Sequence, residues 1–181
     1  MKATDELIST IVTEFGTSYT EKQKEQYSLV LHKIMDEGIP PADAMEIPPD
    51  LLNAIYGFAY RIYNSGNYLM ASVMFALLVS LKPGVIKFHM GLGASFHLLK
   101  EYGKATECYL TCYIADLSNP LPFYHIADCC LKEGSNEAAR TSLDFAIAIA
   151  SADRKYDKLK ERAEMMKSHL EQAQESELQI E

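Results

Sequence analysis

A sequence repeat of 34 residues constrains this chain more than any other feature. Three segments, which start at Leu52, Ile86 and Pro120, align without a gap. The eighth and the twentieth positions of every segment hold a small residue: Ala59, Gly93 and Ala127 at the eighth, and Ala71, Ala105 and Ala139 at the twentieth. A unit repeated at this period cannot bury its apolar face alone, so neighbouring units must stack on one another.

The side chains around the small positions predict two antiparallel helices in each unit. Two helices approach closely only where small residues face each other, and larger neighbours then fill the space on either side. In the first helix of the first segment, these larger core residues are Ile55, Phe58 and Ile62. A period of 34 with these occupants is typical of the tetratricopeptide repeat. We therefore predict an all-α fold, a right-handed superhelix of three tetratricopeptide repeats at residues 52–85, 86–119 and 120–153.

Helical extensions flank the predicted repeat region, residues 52–153. Residues 1–51 are predicted to form an N-terminal extension whose second helix starts after Thr20, with Gln23 completing a capping box. Residues 154–181 are predicted to form a C-terminal helix and an acidic tail. Terminal helices of this kind cover the exposed faces of a repeat array.

The first predicted helix carries one apolar stripe that has two interpretations. The stripe consists of Leu7, Ile8, Ile11, Val12 and Phe15. It could cap the repeats, or it could form a dimer contact, because an isolated apolar stripe is also a docking surface for a partner helix. The sequence leaves both interpretations open.

Composition and charge exclude several function classes. A net charge of -8 disfavours nucleic acid, which requires a basic face. No apolar stretch approaches the roughly 20 residues that span a bilayer, so we expect no direct membrane insertion. The acidic N-terminus, with Asp5 and Glu6, is unlike a secretory signal, and a cytoplasmic location fits best.

The cysteines and the absence of catalytic motifs predict a protein with no cofactor. Cys108, Cys112, Cys129 and Cys130 contain no CxxC spacing, and an adjacent pair is poor geometry for a metal site. We expect reduced core cysteines and no bound metal. The sequence has no phosphate loop, GxSxG or HExxH motif, so we expect that the chain is not an enzyme.

The first helix of each repeat is predicted to line a concave groove. Positions 2, 5, 9, 12 and 13 of these helices point into it, which gives the candidate peptide-binding residues. They are Asn53, Tyr56, Tyr60, Tyr63, Asn64, Lys87, Met90, Ala94, His97, Leu98, Leu121, Tyr124 and Asp128, and the last two of these positions in the third repeat add Leu131 and Lys132.

Three tyrosines in the first repeat are the strongest functional signal among these residues. Tyr56, Tyr60 and Tyr63 follow an i, i+4, i+7 spacing and so share one helix face. They could be a tyrosine-rich core stripe. They could instead form a wall of amphipathic rings that grips a peptide, because tyrosine offers contact area at low rotamer cost and a hydroxyl for hydrogen bonding. Ala94 opposite this wall would leave room for a side chain.

Several stretches also resemble the class II chaperones of bacterial type III secretion systems. The stretch from Tyr56 to Tyr68, YGFAYRIYNSGNY, is similar to that family's first repeat. Met90–Ala94, MGLGA, with EYGKA at 101–105, is similar to its second repeat, and NPLPFYHIADCCL at 119–131 to its proline-rich entry into the third. The resemblance runs from about Gly38 to Ala150.

The resemblance implies a specific function. Such chaperones bind two hydrophobic translocator proteins in the bacterial cytoplasm before export, and an extended translocator segment lies in the concave groove. The family's groove tyrosines match Tyr56, Tyr60 and Tyr63, and its small groove residue matches Ala94. Family members often form homodimers, commonly through their N-terminal helices, although this chain has longer tails.

Two other functions are compatible with a repeat fold. One is a tetratricopeptide adaptor for acidic C-termini, which needs Lys and Asn where this chain has Tyr56 and Tyr60. The other is a structural scaffold that binds a folded partner on its convex face.

Overall fold

The computed structural model describes the backbone of residues 2–178 and the side chains of residues 4–173. Within this part of the chain the structure is helical and contains no strand, as the repeat predicts. The helices are α1 Lys2–Phe15, α2 Glu21–Met35, α3 Pro41–Ala44, α4 Pro49–Asn64, α5 Tyr68–Leu81, α6 Ile86–Leu98, α7 Tyr102–Ala115, α8 Leu121–Lys132, α9 Asn136–Ala150 and α10 Asp157–Leu178. A 3-10 turn, Arg154–Tyr156, precedes α10.

Three helix pairs, α4–α5, α6–α7 and α8–α9, stack on one another in chain order, as the three predicted repeats require. The small residues sit where the helices approach most closely, since Ala59, Ala71, Ala105, Ala127 and Ala139 have no accessible surface. The prediction of an all-α tetratricopeptide fold is confirmed. Helix α4 starts at Pro49, a favourable first helical residue, three positions before the predicted repeat boundary.

Two glycines allow α6 to pack closely against both of its neighbours. A Cβ atom on Gly91 would overlap the ring of Phe75 in α5. A Cβ on Gly93 would lie 2.9 Å from Cε1 of Tyr109 in α7. Both rings are buried and cannot move aside easily. Close packing of α6 against the preceding repeat therefore requires glycine at position 91, and close packing against its own partner helix α7 requires glycine at position 93.

The prediction that Phe58 is a core residue is wrong, because 48% of this residue is exposed. The equivalent residues of the next repeats, Leu92 and Ile126, are buried. Helices α6 and α8 each pack against the second helix of the preceding repeat, whereas α4 has no repeat before it. The same repeat position is therefore core only where an earlier repeat covers it.

The N-terminal helices α1 and α2 form a hairpin that packs mainly on itself. The predicted capping box is present, since Gln23 N donates to Thr20 Oγ1 and Thr20 N donates to Gln23 Oε1. The apolar stripe of α1 divides: Ile8 is buried, whereas Leu7 and Phe15 are 48% and 76% exposed. Ile11 and Val12 are half-buried, so only part of the stripe is used within the chain.

Helix α10 follows the third repeat and packs against α9. Ala163 of α10 is fully buried in a cluster with Ala127 and Leu143. Lys167 pairs with Asp144 of α9 at 2.7 Å. The acidic residues after Ala173 lie outside the described side chains. No helix within residues 2–178 has the length and apolar character to cross a membrane.

Candidate peptide-binding groove

The concave face contains two adjoining cavities of about 730 and 370 Å³. Both cavities are lined by Tyr63, Ala94 and His125. The two cavities are therefore parts of one groove. The larger cavity is lined by the predicted residues Tyr56, Tyr60, Tyr63, Lys87, Met90, Ala94 and Leu121. The smaller one adds the predicted residues His97, Leu98, Tyr124 and Asp128. Asn53 and Asn64 are exposed and lie outside both cavities.

The three tyrosines of α4 differ in how much of each ring is free. Tyr56 packs edge-on against Phe75, with ring centroids 5.9 Å apart, and stacks on Tyr60 at 6.4 Å. Tyr63 contacts Tyr68 at 5.4 Å. Tyr56 and Tyr63 are half-buried against the core, whereas Tyr60 is 52% exposed. Tyr56 and Tyr63 thus combine core and groove roles, and Tyr60 offers the most free surface.

Lys87 places a positive charge beside the tyrosines. Its Nζ lies 4.6 Å from the centroid of the Tyr56 ring and donates a hydrogen bond to Oδ1 of Asn53 at 3.0 Å. The cation–π contact and the hydrogen bond hold the side chain across α4 and α6. Asn53 therefore acts on the groove indirectly, by positioning Lys87.

The smaller cavity has a polar wall built from α6 and α8. Nε2 of His97 lies 2.8 Å from a carboxylate oxygen of Asp128, and Nδ1 lies 3.5 Å from Sγ of Cys129. Although these three residues could suggest nucleophilic catalysis, Cys129 is fully buried. Burial raises the pKa of its thiol to about 11, so the thiol stays protonated and unreactive. The His97–Asp128 pair is therefore a polar part of the groove wall.

The cysteines are free thiols, and Cys112 and Cys129 are buried. Among the described residues, one group of His, Cys, Asp and Glu side chains brings three ligand atoms within 4.8 Å of one another, and it contains no cysteine. That group, Asp5, His32 and Asp36, is partly exposed and joins α1 to α2. The prediction that the protein binds no metal stays a prediction.

Several residues that line the groove are not among the predicted ones, and His125 is the most informative of them. Its ring stacks on Tyr109 at 5.0 Å and lies 5.9 Å from the ring of Tyr124. Phe75, Gly91 and Tyr109 were missed as well. They lie at other positions of the first helices, or in the second helices, whereas the prediction used only positions 2, 5, 9, 12 and 13 of the first helices. Only the stacking between repeats brings them to the groove.

We expect acidification to destabilise the protein through His125. Burial lowers the pKa of His125, with a smaller effect from the charge of His97, while Asp128 opposes both. The unfolded chain therefore binds a proton on this residue more readily, and stability should fall as the pH drops below about 6.5. Denaturant midpoints at pH 7.5 and 5.5 should differ more for the wild type than for His125→Phe. An equal loss in both proteins would contradict this assignment.

The sequence of this chain is similar to those of known tetratricopeptide-repeat and chaperone proteins. The tetratricopeptide repeat family model matches residues 52–83 and 86–116. The low calcium response locus protein H of Yersinia pestis is 28% identical over 142 residues, which cover 78% of this chain and 84% of that protein. Chaperone protein SicA of Salmonella typhimurium is 26% identical over 106 residues, or 59% of this chain and 64% of SicA.

Solved structures of type III secretion proteins have the same fold. A type III secretion complex from Aeromonas hydrophila matches with a TM-score of 0.73 and 25% identity, over 80% of this chain and 97% of the matched chain. The translocator chaperone SycD of Yersinia enterocolitica matches with a TM-score of 0.66 and 28% identity, over 71% and 96%. PcrH bound to the chaperone-binding region of PopD matches with a TM-score of 0.67 and 26% identity, over 71% and 96%. The chain is therefore similar in sequence and in fold to translocator chaperones of type III secretion that contain tetratricopeptide repeats.

Proposed function

We propose that this protein is a chaperone of the bacterial cytoplasm that holds hydrophobic translocator proteins before type III export. Extended client segments would lie in the concave groove, and their aggregation would be prevented. The observation that carries the proposal is the continuous, tyrosine-lined groove of residues 52–153. The relatives support it, since PcrH has been solved with chaperone-binding regions of PopD and PopB, and SycD with a YopD peptide. The protein is a binding protein rather than an enzyme.

The lining of the groove suits the apolar segments of a translocator protein. Membrane-inserting segments expose apolar surface that aggregates in water. Tyr60, Met90 and Ala94 present an apolar wall, and the half-buried tyrosines behind them keep it rigid. Backbone groups of an extended client can bond with tyrosine hydroxyls and the His97–Asp128 pair. An adaptor for acidic C-termini is disfavoured, because it needs Lys and Asn where this chain has Tyr56 and Tyr60. Lys87, the nearby cation, already donates a hydrogen bond to Asn53.

We propose that Tyr60 is a central anchor for the client. Replacing Tyr60 by alanine should weaken client binding by about 2 kcal/mol, which is typical of a buried interface aromatic. Phe58→Ala is the matched control, since Phe58 is a similarly exposed aromatic on the same helix but lies outside the groove. Co-expression with the translocators encoded by the same bacterium, followed by affinity measurement on the purified complex, tests this. Equal affinity of both variants would place the client elsewhere and favour the scaffold function.

We propose that the protein forms a homodimer, as SycD does in its solved alternative dimer. The exposed part of the α1 stripe, Leu7 and Phe15, offers a contact that the chain itself leaves uncovered. The variant with both Leu7→Glu and Phe15→Glu should be a folded monomer by light scattering, because two charges would be buried without partners. Val73→Glu, a change at an exposed apolar residue of α5, is the control. Loss of the dimer in the control alone would place the contact on the first repeat.

A further inference from the structure

The C-terminal helix adds a third cavity to the concave face. It measures about 430 Å³ and lies between α8 and α10. Tyr124 and Leu131 form its α8 side, and Arg162, Met165, Met166 and Leu170 form much of its α10 side. Tyr124 and Met166 also line the cavity that contains His97 and Asp128. The third cavity is therefore continuous with the groove.

Helix α10 takes the place that the first helix of a fourth repeat would occupy. It packs against α9, the second helix of the preceding repeat, and its small residue Ala163 is fully buried in one cluster with Ala127 and Leu143. Met166 packs on the same cluster from the groove side. Because the first helices of the repeats line the concave face, α10 extends that face by one helix beyond the repeats.

The lining of this cavity indicates what it would bind. Met165 is 60% exposed at its rim, and methionine adapts to apolar side chains of different shapes. Arg162 makes no ion pair among the described residues, whereas Lys160 and Lys167 of the same helix both pair with carboxylates. An apolar surface beside an uncompensated guanidinium suits an apolar side chain that is followed by a carboxylate.

We propose that this cavity is a further client subsite, which binds the continuation of the client segment that lies in the concave groove. The inference rests on the proposed chaperone function. The subsite takes a leucine- or methionine-sized side chain, and Arg162 binds an acidic residue next to it. Packed helices are about 10 Å apart and an extended chain advances about 3.3 Å per residue. The apolar residue therefore lies about three positions beyond the one seated beside His97 and Asp128.

Peptides of two lengths test the subsite. Overlapping 20-residue peptides that cover the translocators encoded by the same bacterium are screened for binding by fluorescence anisotropy. Each binder is then shortened from the end that points to α10 until affinity falls. Arg162→Glu and Met165→Ser should each weaken the long peptide about tenfold and leave the short one unchanged. The matched controls are Lys158→Glu and Met70→Ser, at exposed positions outside the cavity.

Charge exchange identifies the carboxylate that Arg162 binds. Replacing the acidic residue of the long peptide by lysine should weaken binding to the wild type and restore binding to Arg162→Glu. If Tyr60→Ala weakens both peptides but neither α10 variant weakens the long one, the subsite is overturned and the chaperone function stands. If no peptide binds, or if Tyr60→Ala changes neither affinity, the chaperone function fails and the subsite fails with it.

Discussion

Replacing Ala94 by glutamate should reduce client affinity by at least about a hundredfold, or roughly 3 kcal/mol. Ala94 lines both cavities of the groove, so a longer side chain there blocks the passage between them. The carboxylate would also meet apolar client atoms without a partner, and burying an unpaired charge is costly. Titration calorimetry with a purified translocator fragment measures the change.

Ala148→Glu is the control for this substitution, since Ala148 is exposed on α9 outside the groove. It should leave affinity unchanged. Because Ala94 is not a fully buried core residue, Ala94→Glu should keep the helical circular dichroism signal of the wild type. A folded Ala94→Glu variant that binds as tightly as the control would show that the client does not use this groove.

Alanine substitutions at two helical glycines should have opposite effects on stability. Gly91→Ala should lower the free energy of unfolding by about 3 kcal/mol, because the new methyl group overlaps the buried ring of Phe75. Gly57→Ala should raise it by up to about 1 kcal/mol, because a Cβ there meets no atom within 4 Å and alanine favours the helix. Chemical denaturation of both variants measures the difference.

The Gly91 substitution should also affect client binding. Phe75 and Gly91 both line the larger cavity, and Phe75 packs against Tyr56. A displaced Phe75 ring therefore moves the tyrosine wall. A Gly91→Ala variant as stable as Gly57→Ala would mean that α5 and α6 leave room for a methyl group beside the Phe75 ring.

The repeat made much of this molecule predictable from its sequence. Helix periodicity determines which side chains share a face, so the sequence alone predicts that Tyr60, Ala94 and Asp128 line the groove. Prediction failed where a residue's environment depends on what lies outside its own repeat. Phe58 is exposed because no repeat precedes it, and His125 lies in the groove because of how α6 and α8 stack.

The cavity of α10 was unpredictable for a related reason. The 34-residue period places the next small position at residue 161, which is glutamate, whereas the buried small residue is Ala163. The turn at Arg154–Tyr156 shifts the register, so the period no longer indicates which residues of α10 face the groove. The spacing of Ala163, Met166 and Leu170 within α10 predicts its apolar face without the repeat, but only the packing shows that this face borders the groove.

The N-terminal hairpin is attached to the repeats more loosely than the repeats are to one another. Helix α2 has no buried residue, whereas α5 alone buries Ala71, Ser72, Phe75 and Leu78. In a chain of nearest-neighbour contacts, such an end opens before the middle, so the amide hydrogens of α1 and α2 should exchange with solvent well ahead of those of α5 and α6. Separation of the hairpin would leave the groove assembled, so under the proposed function the protein can gain or lose a partner at its N-terminal end while a client stays bound.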